Sequence, residues 1–176
     1  QCWALGLLHD AELTGLRPDA VTTNAAASAC EKGRRWEPAL RVLEEAVQSA
    51  CEVDALTYNA VTSACEKAAV WPAALALLLA MRCVQLQLDS ISWNGGVSAC
   101  EKGRRWRCAF ELFSVMHQEC AEPDAVTCSG LASACEKCGR WEQALQVLGS
   151  LALADLQPDL FLLSAAVSAC EKACVW

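Results

Sequence analysis

The sequence predicts an all-α fold, an α-solenoid superhelix of stacked two-helix (helix-turn-helix) units of 35 residues. Three sets of residues carry this reading. The tetrapeptide Ala-Cys-Glu-Lys recurs with its cysteine at Cys30, Cys65, Cys100, Cys135 and Cys170, 35 residues apart each time. Trp36, Trp71, Trp106, Trp141 and Trp176 keep that spacing, and so do Asp19, Asp54, Asp89, Asp124 and Asp159. A shared period of this length means stacked supersecondary units, none of which can bury its apolar face without a neighbour. Function is then expected on a surface that repeats.

Residues 1–19 read as the second helix of an earlier unit, because Ala4-Leu5 and Leu7-Leu8 align with Ala39-Leu40 and Val42-Leu43. Whole units follow at 20–54, 55–89, 90–124 and 125–159, and 160–176 reads as the first helix of another. The chain begins with Gln1 and both ends fall inside a unit, so the array is expected to continue in a longer protein, with any targeting segment outside this sequence.

Within a unit, Asp19 stands where a helix N-cap would, a role worth about 1 kcal/mol. Val21 to Lys32 forms the first helix. Gly33-Arg34-Arg35 interrupts it, and Trp36-Glu37-Pro38 opens the second. Pro38 and Pro72 fall in the first turn of second helices, where a missing N–H is harmless. Ala39, Leu40, Leu43 and Val47 make an apolar packing stripe, and Trp36 is expected to wedge between the two helices of its own unit. Gly95, Gly96 and Gly130 lie inside first helices, each costing roughly 1 kcal/mol against alanine. Stacking by neighbours must hold those helices.

On the first helix, Val21, Asn24, Ser28 and Lys32 share a face. Later units place Leu56, Asn59, Ser63 and Lys67, then Ile91, Asn94, Ser98 and Lys102, then Val126, Ser129, Ser133 and Lys137, on the equivalent face. The last gives Phe161, Ser164, Ser168 and Lys172. Such a short, hydrogen-bonding stripe suits the reading of something repetitive. Plainer roles exist for its members: helix capping for the aspartates, close helix approach for the serines, and a solvated helix end for each Glu-Lys pair.

Composition narrows the classes. At 55% hydrophobic residues the chain has material for a core and no sign of disorder. The longest uncharged run, Ala68 to Met81, contains Pro72 and falls short of the roughly 20 apolar residues that span a bilayer, so no membrane partner is expected. The recurrent cysteines sit at one position on successive helices about 8 to 10 Å apart. Cysteines whose Cα atoms lie beyond about 7 Å do not bridge without backbone movement, so buried thiols in a reducing compartment are expected. Cys135 and Cys138 form the only short metal-like pair, without a second pair or a His pair beside it, so no metal or other cofactor is expected. No Ser/His/Asp set or Gly-rich phosphate loop points to an enzyme or a small-molecule substrate.

Two helices in 35 residues, with Pro18-Asp19-Ala20-Val21-Thr22, Leu56-Thr57-Tyr58-Asn59-Ala60-Val61 and Trp141-Glu142-Gln143-Ala144-Leu145, resemble the pentatricopeptide repeat family, over essentially the whole chain. The uniform unit length resembles its P-type subclass. A tetratricopeptide array, the nearest rival, has a unit of about 34 residues with Trp, Gly and Tyr placed differently. The resemblance implies single-stranded RNA bound along a concave groove, one base per repeat and parallel to the chain. It implies that the fifth and last residues of each unit select the base, here Asn24 with Asp54, Asn59 with Asp89, Asn94 with Asp124, and Ser129 with Asp159. By the family's correspondence these pairs favour U-U-U-G from 5′ to 3′. Val21, Leu56, Ile91, Val126 and Phe161 match the residues that sandwich bases, and Lys32, Lys67, Lys102 and Lys137 match the phosphate contacts. Four such contacts would give a slope of log affinity against log salt of about −3, at roughly −0.7 each.

The family usually works in organellar RNA processing, stability, editing or translation, implying a mitochondrial or plastid location. Some members carry a catalytic or editing-associated domain beyond their repeats. The charge runs the other way: a net −7 opposes the basic footprint of a nucleic-acid binder. Glu44, Glu45 and Glu111 fall on second helices, away from the expected groove, while Arg34, Arg35, Arg104, Arg105 and Arg140 read as solvated loop residues. The alternative is a protein-binding scaffold of the tetratricopeptide type.

Overall fold

The computed structural model describes residues 19–49, 51, 53–119, 121, 123–153 and 160–173. The partial unit expected before Asp19, together with Asp159 and Trp176, lies outside the described residues, as does the side chain of Phe161. Nine α-helices stand among the described residues: α1 Ala20–Lys32, α2 Trp36–Gln48, α3 Ala55–Lys67, α4 Trp71–Cys83, α5 Ser90–Lys102, α6 Trp106–Gln118, α7 Ala125–Lys137, α8 Trp141–Leu153 and α9 Leu160–Lys172. The chain is all-α, built from stacked helical hairpins.

Each described first helix before α9 starts on an aspartate whose carboxylate accepts the backbone N–H three residues on. The distances are 2.8 Å for Asp19 to Thr22, 2.9 Å for Asp54 to Thr57, 2.8 Å for Asp89 to Ser92 and 2.8 Å for Asp124 to Thr127. The helix ends in a Schellman turn. The amide of Arg35 reaches the carbonyl of Cys30 at 2.9 Å, and Val70, Arg105 and Arg140 do the same to Cys65, Cys100 and Cys135 at 2.9, 2.8 and 2.9 Å. The residue forced into the left-handed region is Arg34, Ala69, Arg104 or Gly139, with φ of 54°, 58°, 54° and 64°. Gly33 itself has φ −81°, so the expected break falls one residue later than the glycine suggests.

The chain forms two compact units, Gln1–Leu88 and Asp89–Trp176. In the first, α1 packs along α3, and α2 fills the space between its own α1 and the next first helix. In the second, α5 packs along α7 and α7 along α9, with α6 and α8 placed as α2 is. The buried face of α2 is Ala39, Val42, Leu43 and Ala46, the i, i+3, i+4, i+7 set of a 3.6-residue period. Leu40 is only half-buried and Val47 is 53% exposed, which corrects the expected stripe. Eight residues from Ala39, Val47 has drifted off the buried face and lines an open apolar groove with Leu40, Leu43, Leu77 and Ala80.

Cys65, Cys100 and Cys135 are fully buried and carry free thiols. Burial pushes them up to about 11, about 12 and about 12, so at neutral pH they remain protonated and act as small apolar residues. Trp141 and Trp106 are half-buried and pack on a cluster of Cys135, Ala144, Ala166 and Ala169. That cluster draws its side chains from α7, α8 and α9. Arg140, expected to be a solvated loop residue, lies with its guanidinium 5.3 Å from the Trp106 ring centroid, a cation–π contact. Gly130 is more than a tolerated weak point, since a Cβ there would meet Val97 Cγ1 at 3.0 Å. Its absence lets α5 and α7 approach.

The left-handed residues make a testable pair. Ala69→Gly is expected to stabilise the chain by about 1 kcal/mol by removing the Cβ conflict, and Gly139→Ala to destabilise it by a similar amount. Urea unfolding followed by circular dichroism measures both.

Candidate nucleic-acid interface

The stripe expected from the sequence is assembled where one first helix meets the next. In the first unit, Asp54 divides its carboxylate between two helices. Oδ1 accepts the amide of Thr57 at 2.9 Å, capping α3, while Oδ2 accepts Nδ2 of Asn24 on α1 at 3.1 Å. The buried Thr57 hydroxyl has one proton, which it donates to Asn24 Oδ1 or to Asp54 Oδ1. The second unit repeats this. Asn94 Nδ2 donates to Asp124 Oδ2 at 3.0 Å, and the Thr127 hydroxyl reaches Asn94 Oδ1 at 2.6 Å and Asp124 Oδ1 at 2.9 Å.

These contacts set what the asparagine can offer. A carboxylate only accepts, so the amide nitrogen must face the aspartate and the oxygen must face the threonine. One N–H and one oxygen lone pair of each amide stay unspent, which leaves a donor and an acceptor side by side. Of the pairs expected from the sequence, Asn24 with Asp54 and Asn94 with Asp124 are in contact. Asn59 is half-buried at the same place on α3, and Asp89 caps α5. Ser129 is half-buried on α7, and its expected partner Asp159 lies outside the described residues. The threonines that orient the amides were missed; their signal was a hydroxyl residue three after Asp19, Asp54, Asp89 and Asp124.

Three residues before each asparagine or its equivalent stands an exposed aliphatic: Val21 at 74%, Leu56 at 69%, Ile91 at 67% and Val126 at 64%. Single exposed aliphatics are ordinary. Within each compact unit, two of them stand at one position of successive hairpins as apolar partitions beside the polar groups.

The lysines behave differently from the expectation of solvated ends. Lys67 Nζ pairs with Glu31 Oε1 of the preceding hairpin at 2.7 Å, and Lys137 with Glu101 at 2.7 Å. Lys32 and Lys102 are exposed at the ends of α1 and α5. Each of these glutamates also accepts a serine hydroxyl, Ser63 at 2.9 Å or Ser133 at 2.7 Å, so these serines do more than allow helices to approach.

Burial alone would raise the Asp54 and Asp124 carboxyls, but the Thr57 and Thr127 amides, the asparagine amides and the threonine hydroxyls outweigh it and hold both below the usual carboxylate value. Glu31 is also held down, the Lys67 and Ser63 hydrogen bonds overcoming burial. Among the described residues, no group of three or more His, Cys, Asp or Glu could hold a metal ion, and no helix is long and apolar enough to cross a membrane.

Hairpins of constant length, joined first helix to first helix by an Asn–Asp contact beside an exposed aliphatic, define a modular helical-repeat protein. The chain matches the pentatricopeptide repeat domain model over residues 6–68 and a tetratricopeptide repeat model over 127–160. The Ala-Cys-Glu-Lys and Trp markers of the 6–68 segment continue at the same spacing beyond it. Residues 6–68 thus match a pentatricopeptide repeat domain, and the repeat spacing carries that resemblance along the chain.

No curated protein sequence matches it, whereas solved structures do. It superposes on the pentatricopeptide repeat protein PPR10 in complex with an 18-nt psaJ RNA element with a TM-score of 0.83 at 21% identity, covering 96% of this chain and 25% of that one. PPR10 from maize gives a TM-score of 0.74 at 24% identity over 94% of this chain and 24% of that one. The PPR domain of Arabidopsis thaliana protein-only RNase P 1, in complex with tRNA, gives 0.74 at 14% identity over 89% of this chain and 86% of that one. The chain spans about a quarter of PPR10's length.

Because Asp54, Asp124 and Glu31 have folded values below their unfolded ones, their stabilisation is present above the unfolded carboxylate range near 4 and is lost as pH falls through the folded values. The urea midpoint is expected to hold steady from pH 7 to about pH 5 and drop below about 4. In Asp54→Asn/Asp124→Asn, which keeps a capping side chain, that drop is expected to be shallower.

Proposed function

We propose that the chain is a sequence-selective reader of single-stranded RNA. The carrying observation is the doubled arrangement of Asn24, Asp54 and Thr57 and of Asn94, Asp124 and Thr127, which leaves each amide one donor and one acceptor at fixed orientation. A uracil edge offers the complementary acceptor and donor. Exposed Val21, Leu56, Ile91 and Val126 supply flat apolar walls between which bases stack. RNA is present in the PPR10 and RNase P 1 complexes, whose folds this chain shares. Reading Asn with Asp as uracil and Ser with Asp as guanine gives a U-U-U-G core, with Asn59–Asp89 and Ser129–Asp159 completing the four pairs. A role in organellar RNA processing, stability, editing or translation, in mitochondria or plastids, goes with this reading.

A second reading, a protein-binding scaffold, is favoured by the tetratricopeptide match at 127–160 and the net charge of −7. Fluorescence anisotropy separates the two. The chain is expected to prefer a labelled single-stranded RNA containing UUUG over one containing AAAC by tenfold or more, about 1.4 kcal/mol. Asn24→Ala and Asn94→Ala should each erase discrimination at a single base. Equal affinity for both RNAs would sink sequence selectivity, and binding to neither would favour the scaffold.

A further inference from the structure

The Ala-Cys-Glu-Lys tetrapeptide contains both halves of an ion pair, yet the halves pair across repeats. Glu31 Oε1 accepts Ser63 Oγ at 2.9 Å and Lys67 Nζ at 2.7 Å. Glu101 accepts Ser133 and Lys137, each at 2.7 Å, and Glu136 accepts Ser168 at 2.9 Å and Lys172 at 2.8 Å. The glutamate side chains are 25%, 19% and 23% exposed and their lysines 35%, 38% and 52%. Asn24 and Glu31 are seven residues apart, two turns along one edge of α1, so the ion pairs continue the row that holds the asparagines.

We propose that Glu31, Glu101 and Glu136 restrain RNA affinity by holding Lys67, Lys137 and Lys172 as neutral pairs, so that a phosphate gains each lysine only by displacing a carboxylate. The proposal rests on the RNA-reading function above. Phosphate attraction is sequence-independent and draws on release of counterions by unpaired cations. A lysine already neutralised by a fixed carboxylate adds little net charge and little release, while the carboxylate repels the approaching phosphate. Base-edge contacts to the asparagines are untouched. The ladder thus lowers the indiscriminate part of binding and leaves the discriminating part. Four fully available lysines would give a salt slope of about −3; the paired ones make it shallower.

The test compares three proteins with a fluorescein-labelled single-stranded RNA containing UUUG at about 50 and 200 mM salt, a range over which phosphate contacts change affinity strongly. They are the wild type, Glu31→Gln/Glu101→Gln/Glu136→Gln, and a control, Glu37→Gln/Glu111→Gln/Glu142→Gln. The control removes the same charge from exposed second-helix positions. Glutamine keeps acceptors for the serine and the lysine. The ladder variant is expected to bind at least tenfold more tightly at the lower salt, with a slope steeper by about 2 from three lysines at roughly −0.7 each. The control is expected to move less than threefold.

Unchanged affinity and slope in the ladder variant, or an equal gain in the control, would overturn the proposal while leaving RNA reading intact. Should the ladder variant not fold, the single changes Glu31→Gln, Glu101→Gln and Glu136→Gln decide the matter. Each is expected to steepen the salt slope by roughly 0.7, the share of one lysine, and an unchanged slope in all three refutes the ladder. If none of these proteins binds RNA, the RNA-reading function itself fails, and the ladder proposal with it.

Discussion

Everything in the repeat depends on how one first helix is registered against the next. The contact is bolted at two points. Near the N-terminal end, Asp54 caps its own helix and takes the amide of Asn24 from the helix before. Two turns on, Glu31 takes a serine and a lysine from the helix after it. Each bolt joins a carboxylate to donors on the neighbouring hairpin, so it exists only when a neighbour is stacked at the correct offset. Between them lies the packed column of Ala and Cys side chains, including Cys30 and Cys65, which allows close approach. Apolar packing brings the helices together and the polar bolts select a single register, the division of labour expected of satisfied, partly buried polar groups.

The aspartate shows how capping and the proposed recognition role can coexist. Capping needs one carboxylate oxygen, and the amide of the preceding repeat uses the other. Because the cap fixes the carboxylate's orientation, the second oxygen becomes a rigid acceptor, and the asparagine amide it holds becomes rigid in turn. The shared threonine proton closes the triangle. A recognition group oriented in advance loses less freedom on binding than a mobile one.

Much of this was legible in the residues. The period, the helix boundaries and the capping aspartates follow from spacing, because capping and hairpin length are local properties. The Asn–Asp pairing came from resemblance to a family and was met in the structure at Asn24–Asp54 and Asn94–Asp124. What spacing could not show was the offset between stacked helices. Glu31 and Lys67 are 36 residues apart and Glu31 and Ser63 are 32, and neither separation is conspicuous until the helices are laid side by side. For that reason Ala-Cys-Glu-Lys looked like a solvated end. The turn was misplaced for a different reason: Gly33 drew attention as the flexible residue, although the left-handed conformation falls on Arg34. Val47 was assigned to packing because a stripe counted in whole steps ignores the drift of a 3.6-residue helix.

The acidity of the chain then takes a different meaning. A net charge of −7 looks unsuited to a polyanion ligand if affinity is taken as the goal. Selectivity is a difference of affinities, and phosphate attraction raises every sequence alike. On the proposed reading, a repeated face that presents oriented amides and aliphatic walls while Lys67, Lys137 and Lys172 are matched by carboxylates would weight binding toward the bases. The matching is repeated at Glu31, Glu101 and Glu136 with nearly identical distances, so any lengthening of the array by whole repeats would add base contacts and ion pairs in step. Under the proposed reading, affinity would grow with the number of bases read, while the indiscriminate attraction to phosphate would grow much more slowly.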